Sequence, residues 1–292
     1  MMNPSDAFRL AWESLFFECP NVYSVSRLSG GSFHSIFKVE SSDGQFVMKL
    51  NSSSSYPKMF SVETNGLAML KETKTIPCAE VIGVCELESH QVLILEYIPP
   101  AEKKNKFFEN FGVRLAHLHQ HSAPYFGLDH DNYIGRLPQR NNKEVSATDF
   151  FINQRLIPQL DLAMTHQVIN KELRVKFDAL FLKMNSLLPN EHSSLIHGDL
   201  WNGNFMVGEE GHVVLIDPAV SYFSREADIA MSKLFGGFDE SFYISYHQTF
   251  PLQSHWEERI PLWNLYPLLV HINLFGKSYL NDLKAILKHF VT

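Results

Sequence analysis

The segment LIHGDLWNGNFMV, residues 195–207, places polar side chains between two apolar runs, where a hydrophobic core would otherwise continue. Asp199 and Asn204 lie five positions apart, and Asp217 ends the next apolar run, HVVLID. Carboxylate and amide oxygens are hard ligands that suit Mg²⁺, and a further carboxylate can orient an acceptor hydroxyl and take its proton. Phosphoryl transfer needs both functions. A hairpin with Asx turns explains any one of these residues, but it does not explain the spaced set.

The elements that must position these residues are predicted from hydrophobic periodicity and turn residues. Ser5 is expected to cap the first helix, and the pairs Gly30-Gly31 and Asp43-Gly44 stand where hairpin turns belong. The predicted elements are a helix at 5–18, three antiparallel strands within 22–50 with a tip at 29–32, a helix at 57–73, and strands at 79–87 and 91–97.

Pro99-Pro100 ends the last of these strands and predicts a domain boundary, with lobes at 1–98 and 99–292. Beyond it the composition favours helix. Helices are expected near 107–121, 148–165 and 171–187, then one pair of strands within 194–217, then helix from Arg225 to Thr292. The stretch after Asp217 is expected to pass at once into helix.

A small antiparallel sheet, joined by a short strap to a helical lobe, resembles the bilobal α+β protein-kinase-like fold. The catalytic loop of kinases reads H-R-D-L-x-x-x-N, and HGDLWNGN keeps its Asp-to-Asn interval with Gly198 in place of Arg. The resemblance implies that Asp199 is the catalytic base and that Asn204 and Asp217 are Mg²⁺ ligands.

The same resemblance implies a set of ATP contacts in the amino-terminal lobe. Lys49 stands in the third strand, where a kinase lysine meets the α- and β-phosphates, and Glu63 on the next helix is its expected partner. The backbone of the glycine tip is expected to lie over the phosphates, and the strap is expected to bind adenine. These segments comprise Gly30, Gly31 and Ser32 for the tip and Glu96, Tyr97 and Ile98 for the strap.

No long activation segment follows Asp217, which favours a small-molecule or amine-bearing acceptor over a protein-docking kinase. Asp228 is expected to be a structural acid that braces the catalytic loop through backbone N–H groups. HGDLWNGN, IDPAVSYFSREADIAMSKLFGGF and LWNLYPLLVHINLFGKSYL together resemble the fructosamine kinase (ketosamine-3-kinase) family. The resemblance extends from the glycine hairpin to the last helix.

This family resemblance implies ATP-dependent phosphorylation of the C3 hydroxyl of a ketosamine, the sugar adduct of an amine. The 3-phosphate then eliminates and frees the amine, so the implied role is deglycation or repair. Several family members carry Cys in the glycine loop, whereas this chain has Ser32, which excludes a thiol switch at that position.

The acceptor pocket is less well defined by the sequence. Trp201 either lies against the sugar or amine of the acceptor or is a core residue between helices. Glu226 or Asp228 is a candidate for meeting a cationic amine, and His271 and Asn273 are candidates for the edge of the pocket.

Two other functions compete with ketosamine phosphorylation. A kinase of the aminoglycoside or choline type shares the catalytic motif; the former needs many carboxylates and the latter an aromatic cage. A pseudokinase usually lacks the base, the metal-binding Asp or the strand Lys, and all of these are present here. The sequence leaves the preferred sugar and the oligomeric state open.

The composition sets limits on partners and location. Among 292 residues, 45% are hydrophobic and 20% charged, with a net charge of −7, so neither nucleic acid nor an anionic membrane is an expected partner. Three cysteines do not build a disulfide framework and fit a reducing cytoplasm. The first residues lack the pattern of a signal peptide.

Overall fold

A computed structural model of the protein describes residues 2–28 and 35–291. The glycine tip with Gly30, Gly31 and Ser32 therefore lies outside the described residues. The chain divides into two compact units, one of Met1–Phe107 with Gly203–Pro218 and one of Phe108–Asn202 with Ala219–Thr292. The boundary at residues 98 and 99 stays a prediction.

The first unit is built on a five-stranded antiparallel sheet of order β1-β2-β3-β5-β4. This arrangement matches the predicted three-strand meander followed by two further strands. Its elements are α1 Pro4–Phe16, β1 Val22–Arg27, β2 Ser35–Ser41, β3 Gly44–Ser52, α2 Met59–Glu72, β4 Val81–Leu87 and β5 His90–Glu96.

The apolar face of α1 packs on this sheet. Phe8 and Trp12 are buried with Val39, Phe46 and Met48 of the neighbouring strands, as the helical spacing predicts. The helix begins one position before the predicted cap. Asn3 caps it instead of Ser5, because the Asn3 side chain accepts a hydrogen bond of 2.9 Å from the Ser5 N–H. Pro4 then occupies the first helical position, which needs no N–H donor.

The predicted single strand pair within 194–217 is wrong, because the structure has four short strands in two pairs. In the first unit β9 Phe205–Val207 pairs with β10 Val213–Leu215. In the second unit β8 Ser194–Ile196 pairs with β11 Ser221–Phe223. The strand β11 therefore lies where the chain was expected to pass at once into helix.

Two backbone hydrogen bonds attach β10 to the segment that precedes β4. The N–H of Ala79 donates to the carbonyl of Leu215 at 3.0 Å, and the N–H of Leu215 donates to the carbonyl of Pro77 at 2.9 Å. Residues far apart in sequence thus form one continuous structure around the end of β10.

The second unit is mostly helical, and a short hairpin, β6 Asn132–Ile134 with β7 Leu137–Gln139, was not predicted. The helix expected at 148–165 is divided into α4 Ala147–Phe150, a π-helical segment Phe151–Leu156, and α5 Ile157–Thr165. The remaining helices are α3 Phe107–His119, α6 Lys171–Leu187, α7 Glu226–Leu234, α8 Glu240–Thr249, α9 Trp256–Trp263, α10 Leu265–Phe275 and α11 Leu280–Val291.

Large aromatic side chains fill the core of the second unit. Phe151, Phe223 and Trp263 are buried together, with the Trp263 ring centroid 5.1 Å from Phe151 and 5.4 Å from Phe223. The packing holds β11, the π-helical segment and α9 in fixed positions. Among the described helices, none has the length and apolar character required to cross a membrane.

Candidate active site

Lys49 is the centre of a buried ionic cluster in the first unit. It lies in the middle of β3, between Ile36 on β2 and Leu93 on β5, and its residue is 3% exposed. Its Nζ donates to Glu63 Oε1 at 2.6 Å and to Asp217 Oδ1 at 2.5 Å. The structure therefore brings together the lysine, the helix acid and the acid after β10.

The charges of this cluster compensate the burial of the lysine. Burial alone lowers the pKa of Lys49, but the carboxylates of Asp217 and Glu63 outweigh it, so the pKa lies above its ordinary value. Lys49 is consequently protonated at neutral pH. The ammonium thus lies between two carboxylates, those of Glu63 and Asp217.

The strands β9 and β10 place Asn204 beside the residue before Asp217. Phe205 pairs with Leu215, so the start of one strand adjoins the end of the other. The N–H of Ile216 donates to the carbonyl of Asn204 at 3.1 Å. Asp217 has a φ of 54°, a left-handed backbone conformation that is unusual for a residue with a side chain and is frequent at functional sites.

The predicted adenine strap follows the end of β5. Glu96 is the last residue of that strand, and its Oε1 accepts from the N–H of Glu80 at 2.8 Å, while its own N–H donates to the carbonyl of Glu80 at 3.0 Å. The Lys38 ammonium lies 4.4 Å from the centroid of the Tyr97 ring. These contacts fix the start of the strap, and binding of adenine by Glu96, Tyr97 and Ile98 stays a prediction.

Asp199 belongs to the second unit, where its loop approaches the backbone of Ala219 closely. Gly198 has a φ of 83°, and a Cβ there would lie 2.1 Å from the carbonyl oxygen of Ala219. The N–H of Ala219 donates to the carbonyl of His197 at 2.8 Å. The close approach explains why Gly198 replaces the arginine of the kinase motif.

Asp228 braces this loop, as the sequence predicts. Its two carboxylate oxygens accept the N–H groups of His197 at 2.7 Å and of Gly198 at 2.9 Å. His119 Nε2 lies 3.2 Å from Asp228 Oδ2, and His119 Nδ1 lies 2.8 Å from the Tyr246 hydroxyl. Burial alone raises the pKa of Asp228, but its hydrogen bonds and the neighbouring histidines lower it below the ordinary value.

Asp199 lines a cavity inside the second unit, here called the Asp199 cavity, of about 40 Å³. Its wall combines polar side chains with apolar residues of the core. The polar and aromatic lining residues include Gln139, Arg155, Asp199, Ser221, Tyr266 and His271.

Three residues of the cavity wall were not predicted from the sequence, namely Arg155, Gln139 and Ser221. Gln139 and Ser221 lie in three-residue strands, and Arg155 lies in the π-helical segment. The one signal in the sequence is a charged residue between the apolar runs 150–152 and 156–158.

The predicted acceptor residues take different positions. His271 lines the Asp199 cavity and its ring lies 4.7 Å from Phe235. Trp201 is 37% exposed and lies edge-to-face with Phe235 at 6.2 Å, so the alternative that it is a core residue is wrong. Asn273 is not among the residues that line this cavity, and its amide donates to the carbonyl and the Oε1 of Gln159 at 2.9 and 2.8 Å. Its acceptor role stays a prediction without support from these contacts.

Glu226 is one of the two acids considered for a cationic amine, and its carboxylate forms hydrogen bonds within the protein. Its carboxylate accepts from Arg259 at 2.9 and 2.6 Å and from the Trp263 indole N–H at 2.9 Å. The residue is 2% exposed. These bonds make it a structural acid.

Known proteins resemble this chain over almost its whole length. A family model described as fructosamine kinase matches residues 12–292. A protein named as a probable ketoamine kinase of Enterococcus faecium is 36% identical over 265 residues, which cover 89% of this chain and 93% of that protein. The crystal structure of a candidate fructosamine-3-kinase of Haemophilus somnus has a TM-score of 0.88 at 27% identity, covering 98% of this chain and 97% of that chain.

More distant structures share the fold alone. LicA in complex with AMP has a TM-score of 0.64 at 16% identity and covers 99% of each chain. The α+β protein-kinase-like fold predicted from the sequence is thereby confirmed.

Proposed function

The chain belongs to the fructosamine kinase family, which makes it a phosphotransferase, and we propose that it transfers the γ-phosphoryl group of ATP to the 3-hydroxyl of a ketosamine. The observation that carries this proposal is the position of Asp199, on a braced loop and in the wall of a cavity. The name of the Enterococcus relative supports a ketoamine as acceptor. The role that follows is deglycation, because the 3-phosphate eliminates and releases the amine.

The residues proposed to contact ATP belong to the first unit. The Lys49 ammonium contacts the phosphates, and Glu63 holds it in position through the 2.6 Å ion pair. The sequence predicts phosphate contacts for Gly30, Gly31 and Ser32, which lie outside the described residues, and it predicts adenine binding for the strap Glu96 to Ile98. The AMP complex of LicA, a protein with this fold, supports a nucleotide at such a site.

Asn204 and Asp217 are the residues that would hold Mg²⁺. They offer an amide and a carboxylate oxygen, which are the hard ligands that suit a divalent cation. An ion held there would neutralise the charge of the phosphates.

Asp199 accepts the proton of the acceptor hydroxyl as the new bond to phosphorus forms. Asp228 acts through the backbone N–H groups of His197 and Gly198 and keeps the base in position. Trp201, partly exposed beside Phe235, offers an aromatic surface to the sugar or the amine. The three free thiols, Cys19, Cys78 and Cys85, favour a reducing compartment such as the cytoplasm.

ADP release from Mg-ATP across a panel of acceptors tests this function. The panel holds ribuloselysine, fructoselysine, an aminoglycoside and choline, with Asp199→Asn as the control for background hydrolysis. Turnover of a ketosamine alone is the expected result. Turnover of the aminoglycoside or choline alone would retain the kinase and refute the repair role, and binding of ATP without any turnover would indicate a pseudokinase.

A further inference from the structure

Arg155 is a buried cation that has no part in the proposed phosphoryl transfer. It lies in the π-helical segment Phe151–Leu156, is 3% exposed, and lines the Asp199 cavity. Single π-helical turns within α-helices are frequent at functional sites. The position of Arg155 in the cavity wall therefore calls for a reason beyond packing.

The hydrogen bonds of Arg155 to the rest of the described chain use all of its N–H groups except Nε–H. Its Nη1 donates to the carbonyls of Arg140 and Gln154, and its Nη2 donates to Asn141 Oδ1 at 2.8 Å and to Ser221 Oγ at 3.2 Å. Of five N–H groups in a guanidinium, these contacts use the four on the two Nη atoms. Within the described ranges no acceptor contacts the Nε–H.

The charge of Arg155 is not neutralised by a close acid. Within residues 2–28 and 35–291, no carboxylate lies within 4.0 Å of the guanidinium. Burial lowers its pKa to about 10, while Tyr266 and the more distant Asp131 oppose this shift, so the group is a cation at neutral pH. Its carbon Cζ lies 4.4 Å from the centroid of the Phe150 ring. A hydrogen bond donated by such a charged group is stronger than one from a neutral donor.

The neighbouring cavity wall offers a second donor. Ser221 accepts from Arg155 and, in the described part of the chain, its own O–H has no acceptor. Both N–H groups of the Gln139 amide are used within the protein, and the Tyr266 O–H donates to Gln139 Oε1 at 2.7 Å. The unused donors of this wall, Arg155 Nε–H and Ser221 O–H, suit a ligand that presents oxygen atoms.

Burial distinguishes an inner end of the Asp199 cavity from its rim. Arg155 and Ser221 are 3% and 1% exposed, whereas Asp199 and His271 are partly exposed. The cavity volume is small, about 40 Å³. We therefore expect the end of a sugar chain to enter the inner end, with the amine and its substituent at the rim.

We propose that the inner end of the Asp199 cavity binds the terminal hydroxyls of the ketosamine sugar, with Arg155 and Ser221 as the residues that select sugar length. The inference rests on the proposed function. Arg155 Nε and the Ser221 hydroxyl donate to oxygen atoms beyond the reacting C3, and Asp199 faces the 3-hydroxyl. A sugar that ends before these donors leaves the buried Nε–H of Arg155 and the Ser221 O–H without an acceptor, which lowers kcat/KM.

Steady-state kinetics with ketosamines of one amine and sugars of four, five and six carbons test this inference, together with a 6-deoxy fructosamine. The variants are Ser221→Ala and Arg155→Lys. Ser224→Ala is the matched control, because Ser224 is a buried serine three positions on that does not line the cavity and whose Oγ has no partner among the described residues. Thermal unfolding of each variant reports whether it folds.

We expect Ser221→Ala and Arg155→Lys to lower kcat/KM about tenfold on the preferred sugar, the effect of one lost hydrogen bond to a polar or charged group. On the sugar that lacks the terminal hydroxyl, the two variants and the wild-type protein should have nearly the same kcat/KM. Ser224→Ala should leave kcat/KM unchanged on both sugars. Equal losses on every sugar overturn the inference while leaving the proposed function intact. If Arg155→Lys fails to fold, the kcat/KM values of Ser221→Ala across the sugars alone test the inference. A wild-type protein that turns over no ketosamine overturns both.

Discussion

Replacement of Gly198 by alanine tests the close approach of the catalytic loop to Ala219. The φ of 83° alone costs an alanine about 1–2 kcal/mol. The new Cβ would lie 2.1 Å from the Ala219 carbonyl oxygen, and real contacts of this kind stay above 3.0 Å, so the two backbones must separate by about 0.9 Å. That movement lengthens the 2.8 Å hydrogen bond from the Ala219 N–H to the His197 carbonyl, whose loss costs about 1 kcal/mol.

Gly236→Ala is the matched control for this substitution. Gly236 has a φ of 94° with nothing within 4 Å of the added Cβ, so it carries the conformational cost without the collision. We expect Gly236→Ala to lower the free energy of unfolding by about 1–2 kcal/mol and Gly198→Ala to lower it by about 3 kcal/mol or more. Urea denaturation followed by tryptophan fluorescence measures both values.

The two glycine variants also differ in catalysis. Asp199 follows Gly198 directly, and a displacement of about 1 Å at a reacting group costs about 100-fold in rate. We therefore expect kcat to fall by about that factor in Gly198→Ala and to change little in Gly236→Ala. Equal destabilisation of the two variants, with normal kcat in both, would refute the role assigned to the close approach.

Four further predictions concern titratable residues. Asp199→Asn lowers kcat at least about 100-fold and leaves the Kd for ATP unchanged in a binding titration; normal turnover would exclude it as the base. Asp217→Ala abolishes the Mg²⁺-dependent activity, and an unchanged Mg²⁺ titration would contradict its assignment. Lys49→Met raises KM for ATP about tenfold or more through a lost charged contact, and wild-type rates at low ATP would count against it. Burial lowers the pKa of His119 from 6.5, so its contribution to stability is present above about pH 6.5 and is lost as the pH falls; in denaturation series at several pH values, His119→Gln should flatten this slope, and an identical slope would disprove the effect.

The sheet of the first unit could be predicted because its strands are long and a hairpin turn separates them. The strands β2 and β3 have seven and nine residues and are rich in Val, Ile and Phe, and the turn at Asp43-Gly44 puts Lys49 in the third strand. The contacts of Lys49 with both Glu63 and Asp217 required the structure, because Asp217 lies 168 positions further along the chain.

The cavity could not be predicted for the opposite reason. Strands of three residues have no measurable period, and the hairpin of β6 and β7 contains Pro138 and the buried amides of Asn132 and Gln139, a composition typical of loops. Arg155 faces the cavity through a π-helical segment, which shifts side chains away from the 3.6-residue spacing used to predict the helix.

The return of the chain to the first unit at Gly203–Pro218 has a consequence for biosynthesis. A ribosome that has made residues 1–107 has delivered the five-stranded sheet but not β10, whose Leu215 bonds to Pro77 and Ala79. Lys49 at that stage has Glu63 but lacks Asp217. The first unit therefore completes its ionic cluster only after Asp217 has been made. Neither unit corresponds to a single contiguous fragment that could be expressed intact.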